Sequence, residues 1–293
     1  MPDIMGSISV DRNPNMYDPI FLLAPARSHS SVVVTMIGSH PQLYGFPELV
    51  LFDKETIGER LATPPPVTGN SLYNWNSVVG LERAIAELEY GSQDDHSIKL
   101  ARRWLEDRRD WSGVQVMDHL LGLIFPRRGV EKSPETVQSM DNMMRMANAY
   151  PRARFIHLVR HPVTAQRSVQ RYYFLRVHPA NCAKGWISQH KRILEFRNAI
   201  GRDRSIMVSS EDILNQPDVY LRDIADWLGI ESDDESINAM FNTSKSPYVH
   251  IDHSERYVYT WNDPTFLMSP TPHSVELPSS LEQPVGWNIG LPP

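Results

Sequence analysis

An apolar run of five residues, Ile20-Phe21-Leu22-Leu23-Ala24, lies between Pro19 and Pro25 and gives way to the polar stretch Ala26-Arg27-Ser28-His29-Ser30-Ser31. Five apolar residues bounded in this way have the length of a buried strand. Val32 to Ile37 then runs apolar up to Gly38. Its length, after a serine-rich start, predicts a helix in spite of three β-branched valines. Strand, polar loop and helix in that order are the layout of a phosphate-binding turn, because the first N–H groups of a helix have no partner inside it.

The alternation recurs. Ala153 to Arg160 is the clearest buried strand, with Phe155, Ile156, Leu158 and Val159 apolar, and Pro162 suits the first position of a helix running to about Phe174. Another helix is predicted over 183–199, a short strand over Ser205 to Ser209, and a helix over 216–228 stopped by Gly229. Upstream, Pro64, Pro65 and Pro66 mark a loop. Val78, Val79, Leu81, Ala84, Ile85 and Leu88 recur at helical spacing and predict an amphipathic helix over 76–90. The segment 94–111 reads as a solvated, charge-dense helix, and 135–149 as a helix opened by Ser133-Pro134 with Glu135 in its first turn. Strands alternating with helices imply an α/β domain whose sheet is mainly parallel and covered on both faces. The domain is expected over 19–240, after a tail at 1–18. An irregular C-terminal extension follows over 241–293, rich in Pro, Ser, His and aromatics.

Composition removes several classes. A net charge of −6 on 293 residues leaves no basic footprint for nucleic acid or an anionic membrane. No apolar run is long enough to span a bilayer. Met1 to Asp11 has no basic start leading into an apolar stretch, so no signal peptide is expected. Cys182 is the single cysteine, which excludes an intrachain disulfide and a cysteine-based zinc site and fits a cytoplasmic setting. No carboxylate cluster suggests a metal.

Two groups of residues carry chemistry. In the loop, Ser28, Ser30 and Ser31 supply hydroxyl donors and Arg27 a fixed positive charge beside a helix start. Taken alone, this reads more readily as a helix cap with an exposed arginine. The second group is Arg160-His161-Pro162 with Ser168 two helical turns on. Arg160 closes a strand at the end where ligands of α/β sheets gather, and arginine with a hydroxyl suits a phosphate. Alone, it reads more readily as a surface arginine and an ordinary helix serine.

Together the two groups resemble the sulfotransferases that use PAPS (3'-phosphoadenosine-5'-phosphosulfate), in their bacterial form. Ala26 to Ser31 is similar to that family's 5'-phosphosulfate loop, and Arg160, Pro162 and Ser168 to its 3'-phosphate signature. Glu131-Lys132-Ser133-Pro134 resembles its acidic-Lys-Ser/Thr-Pro element. Ser210-Glu211-Asp212-Ile213-Leu214 resembles its Tyr-Glu-Asp-Leu-Leu, and Leu221 to Ile230 the helix that follows. The likeness covers about residues 19–231. The chain departs from it where His29 stands in place of glycine, Ala26 in place of proline and Ser210 in place of tyrosine. If His29 needs positive φ, the cost is about 1 kcal/mol. The tail Gly286-Trp287-Asn288-Ile289-Gly290 lacks the basic nucleotide clamp of animal members.

The resemblance implies a P-loop-like fold and transfer of a sulfuryl group from PAPS to the hydroxyl of a small-molecule or carrier-bound acceptor, leaving PAP. Arg27, Ser28, His29, Ser30 and Ser31 would hold the 5' side, and Arg160 and Ser168 the 3'-phosphate. Arg27 would balance the leaving charge and Lys132 the sulfonate. Glu48, in Pro47-Glu48-Leu49, is the first choice of base, although it reads equally as a helix-start carboxylate. His119, His29 and His157 are alternatives, His157 reading more readily as a core residue. Residues 54–118 would form a helical insertion or lid at the acceptor site. Two other readings stand beside this one. A non-catalytic nucleotide binder of the same fold is favoured by His29 and Ala26. The other is a P-loop kinase-like phosphotransferase, which requires a Gly-x4-Gly-Lys-(Ser/Thr) that this sequence lacks.

Overall fold

The computed structural model describes residues 18–62, 78–172 and 178–249. The C-terminal segment from 250, the 1–17 tail, the Pro64–Pro66 loop and the end of the helix expected to reach Phe174 lie outside the described residues. Five strands, β1 (Ile20–Leu23), β2 (Leu43–Gly45), β3 (Arg128–Glu131), β4 (Arg154–Val159) and β5 (Ser205–Ser209), form one sheet. All neighbours are parallel, in the order β2-β3-β1-β4-β5. The register sets Phe21 opposite Glu131 on one side and Phe155 on the other.

Helices cover both faces. They are α1 (Ser30–Gly38), α2 (Ile57–Ala62), α3 (Val79–Tyr90), α4 (Asp95–Glu106), α5 (Gly113–Ile124), α6 (Met140–Ala149), α7 (Pro162–Tyr172), α8 (Pro179–Ile200), α9 (Ser210–Asn215), α10 (Pro217–Leu228) and α11 (Asp234–Met240). Successive strand residues point to opposite faces, and both faces are apolar, as a fully covered parallel sheet requires. Phe21, Leu23 and Phe155 pack into a core with α3, α5, α6 and α8. Ile20, Leu22, Ile156, Leu158 and Val208 pack into a second core with α1, α9, α10 and α11. The α/β fold expected from the alternation of strands and helices is the observed one.

Three local expectations need correction. The segment 135–149 is not one helix: a 3-10 turn at Thr136–Gln138 is broken at Ser139, whose extended backbone (φ −136) and side chain instead cap α6. The segment 94–111 ends as a helix at Glu106. It is amphipathic rather than solvated, burying Ile98, Ala101, Trp104 and Leu105. The helix expected from 183 begins at Pro179, behind a His178 side chain that accepts from the Ala180 N–H over 3.3 Å. Strands β2 and β3 were not anticipated at all.

Candidate active site

Sheet order alone assembles the site. β1 lies between β3 and β4, so the C-terminal ends of three parallel strands sit side by side at Leu23, Glu131 and Val159. The loop after β1 therefore emerges with Lys132 on one flank and Arg160 on the other. This is the edge of an α/β sheet where ligands collect.

The loop has an unusual backbone. Arg27 and His29 both take left-handed conformations, at φ 67 and φ 60, without being glycine. Such residues persist only where the surroundings hold them. His29 directly precedes α1 and makes no side-chain cap to it, so the helix start faces the loop interior uncapped by that residue. Ser28, Ser30 and Ser31 are all buried; Ser28 is only 1% exposed, and its hydroxyl has no hydrogen-bond partner.

The two groups picked out in the sequence meet here. Arg27 Nε donates to Ser168 Oγ over 3.1 Å, across 141 residues of chain. Arg160 Nη1 donates to the Arg27 carbonyl over 2.8 Å, and its Nε donates to Thr164 Oγ1 over 3.2 Å. The indole N–H of Trp186 on α8 donates to the Arg160 carbonyl at 3.0 Å. Beneath them Glu211 Oε1 accepts from the His161 N–H and from Thr164 Oγ1, each at 3.0 Å.

On the other flank stands a buried cluster of charge. Lys132, 2% exposed, makes an ion pair with Glu48 and reaches Ser31 Oγ at 3.4 Å. Burial raises the Glu48 carboxyl above the usual carboxylate range, and Lys132 pulls it part of the way back. Behind it Glu131 accepts from the Leu49 N–H at 3.3 Å and from the Ser133 hydroxyl. Burial pushes Glu131 up to about 7 against those hydrogen bonds. Glu135 is also raised to about 7, by burial first and by the charge of Glu48 second. Its Oε2 is buried without a partner.

Glu48 is held through its main chain. A Cβ added to Gly80, at the start of α3, would come within 2.0 Å of the Glu48 carbonyl oxygen, and one added to Gly113, at the start of α5, within 1.8 Å of the Leu51 carbonyl oxygen. Only glycine admits so close an approach. Val50, between them, has φ 50 and donates its N–H to Ser133 Oγ over 2.8 Å.

The structure thus brings together Arg27, Ser28, His29, Ser30, Ser31, Glu48, Lys132, Arg160 and Ser168. His119 it places elsewhere. That side chain, on α5, pairs with Glu89 and packs against Trp104 at 5.0 Å and Trp111 at 6.1 Å. Glu89 lies nine residues beyond Gly80 on α3, about 14 Å along the helix from the Glu48 contact. His157 is inside the sheet, 1% exposed, with its Nε2 2.8 Å from Nδ1 of His190. Thr164, Glu135 and Trp186 were not singled out from the sequence. Thr164, in the first turn of α7 four residues after Arg160, was the one with a readable signal.

Comparison with known proteins places this geometry. The chain matches the sequence model of the sulfotransferase family over residues 19–234, most of its length. Among solved structures, the sulfotransferase domain from the curacin biosynthetic pathway superposes with a TM-score of 0.71 at 23% identity, covering 89% of this chain and 92% of that one. The sulfotransferase domain from the Synechococcus PCC 7002 olefin synthase gives a TM-score of 0.68 at 27% identity, covering 89% of each chain. No curated protein sequence matches. With its sheet order, its loop between Lys132 and Arg160 and the family match over 19–234, the chain belongs to the sulfotransferase family.

Proposed function

We propose that the protein transfers a sulfuryl group from PAPS to the hydroxyl of a small-molecule or carrier-bound acceptor, with Glu48 as general base. The observation that carries this reading is the loop of residues 25–31, which joins a helix start, a buried Ser28 hydroxyl lacking a partner, and two arginines tied to one another. A buried hydroxyl left unpaired costs about 1–3 kcal/mol. A ligand oxygen would relieve that cost, so the residues present fit an anionic donor.

PAPS supplies the activated sulfuryl group on its 5'-phosphate. Ser28, Ser30, Ser31 and the start of α1 would hold that phosphate, and Arg160 with Ser168 the 3'-phosphate. As in phosphoryl transfer, the protein's work is alignment and charge. Glu48 takes the proton of the acceptor hydroxyl as its oxygen bonds to sulfur. The bond from sulfur to the 5'-phosphate oxygen breaks, and the electron pair leaves with PAP. Lys132 and Arg27 balance the charge that develops there. A buried Glu48 with a raised pKa is a stronger base than a surface carboxylate.

The relative at 27% identity is a domain of an olefin synthase, which supports an acceptor presented by a biosynthetic enzyme. The segment 54–118, whose described part holds α2, α3, α4 and the first half of α5, would shape the acceptor side. The test is a thermal shift with PAP. Ligand at about 100 times its dissociation constant adds about 2.7 kcal/mol of stability. A folded protein that does not shift in millimolar PAP removes the proposal.

A further inference from the structure

The left-handed loop and the Arg160 turn are joined by a closed ring of hydrogen bonds. Arg160 donates through Nη1 to the Arg27 carbonyl at 2.8 Å and through Nε to Thr164 Oγ1 at 3.2 Å. Thr164 Oγ1 lies 3.0 Å from Glu211 Oε1. Ser210 Oγ donates to Glu211 Oε2 at 3.0 Å, and His29 Nδ1 lies 3.0 Å from Ser210 Oγ. His29 is two residues from Arg27, which closes the ring.

The chemistry of the ring fixes its polarity. Ser210 has one proton, and that proton faces a carboxylate. His29 Nδ1 must then carry a hydrogen and act as the donor to Ser210. Thr164 Oγ1 accepts from Arg160, and its one proton lies within reach of both the His161 carbonyl at 2.9 Å and Glu211 Oε1 at 3.0 Å. The His29 arm therefore donates through Ser210 to Glu211 Oε2, the 160–164 turn donates to Oε1 through the His161 N–H at 3.0 Å, and donors aligned in series strengthen one another. Ser210 and Glu211 are 0% and 2% exposed, so water does not compete for these bonds. The imidazole at position 29 thus does something that a glycine in the same backbone conformation could not.

We propose that His29, acting through Ser210 and Glu211, is a positioning residue that holds the 27–29 loop and the 160–164 turn in one arrangement, so that the two phosphate positions of the donor site form as a preorganised unit. This inference rests on the reading of the site as one that binds PAP.

The test is calorimetric titration of PAP and of adenosine 5'-phosphate into the wild type, His29→Gly, His29→Asn, Ser210→Ala and the double variant His29→Gly/Ser210→Ala. Losing one buried hydrogen-bonded link weakens binding about five- to tenfold. His29→Gly and Ser210→Ala should each weaken PAP by that factor, and the double variant by no more than either single one. Adenosine 5'-phosphate, which engages one half of the site, should lose less. Asparagine tolerates positive φ and keeps a donor on Cγ, so His29→Asn should retain most of the affinity. Glycine frees the backbone, so His29→Gly folds without strain and its melting temperature serves as the check. If His29→Gly binds PAP as tightly as the wild type, or if the two losses add, the positioning role is wrong. A wild type that does not bind PAP would instead overturn the reading of the site.

Discussion

Arg160 donates from Nη1 to the main-chain carbonyl of Arg27 over 2.8 Å, so one arginine of the site holds the backbone that carries the other. Arg27 in turn reaches Ser168, on the helix that Arg160 introduces. The loop after β1 and the segment after β4 thus hold each other directly.

Arg160→Ala should therefore weaken PAP more than adenosine 5'-phosphate. A charge-assisted bond to the 3'-phosphate is worth roughly 1.5–3 kcal/mol, which is about ten- to hundredfold in affinity. Titration calorimetry with both nucleotides checks this. Equal losses would show that Arg160 acts only on the loop and does not read the 3'-phosphate.

Glu48→Gln should keep PAP affinity and reduce kcat by about 10²–10⁴-fold. The rate should rise as pH rises through the raised pKa of Glu48, and that limb should vanish in the variant. Some stability should go too, because Lys132 is 2% exposed and would lose its carboxylate partner. Steady-state rates across pH, with PAP binding measured in parallel, separate a base from a structural ion pair. Wild-type turnover in the variant would assign the proton to another group.

Glu131 offers a test that needs no acceptor. Its folded pKa is about 7 against an ordinary value of 4.5. The folded state thus favours the protonated form. The stabilisation is complete below about pH 4.5 and is lost as pH rises through about 7. Glu131→Gln should flatten this part of the pH–stability curve and raise the melting temperature above pH 7 relative to the wild type. A variant whose curve runs parallel to the wild type would show that Glu131 ionises without penalty.

Gly80→Ala should move the Glu48 carboxylate without touching it. The added methyl meets the Glu48 carbonyl at 2.0 Å, and main chain cannot yield as a side-chain tip can. Overpacking of this kind costs about 1–3 kcal/mol. Turnover should fall while PAP binding holds, because the donor loop lies on the other side of Lys132. Unfolding curves and rates, compared with Gly122→Ala where the methyl meets nothing within 4 Å, isolate the contact.

Part of this was legible in the sequence, and the reasons are local. β1, β4 and β5 announce themselves because each carries neighbouring apolar residues that reach both faces of the sheet. β2 and β3 do not. Arg128-Gly129-Val130-Glu131 has one large apolar residue, and it is a strand because β1 and β2 flank it. The donor loop and Arg160 could be read from residue type and order, since an anion needs those groups at strand ends. His119 was a candidate base only because a sequence does not say which face of α5 it occupies. His29 and Ser210 looked like two separate oddities, 181 residues apart, and only the fold makes them one contact. Glu135 carried no signal, because its raised pKa comes from burial beside Glu48.

The grip of Gly80 and Gly113 on the carbonyls of Glu48 and Leu51 has a consequence for how such a protein can change over time. The position of Glu48 is set by backbone meeting backbone at two helix starts. Side chains further along α3 and α5 take no part in that contact. Substitutions there can accumulate and alter what the neighbouring surface accepts, while the carboxylate stays where it is. With Glu48 in its proposed role, recognition and proton abstraction would occupy separable parts of the molecule, and a lineage with this arrangement could be retargeted to new acceptors without rebuilding its chemistry.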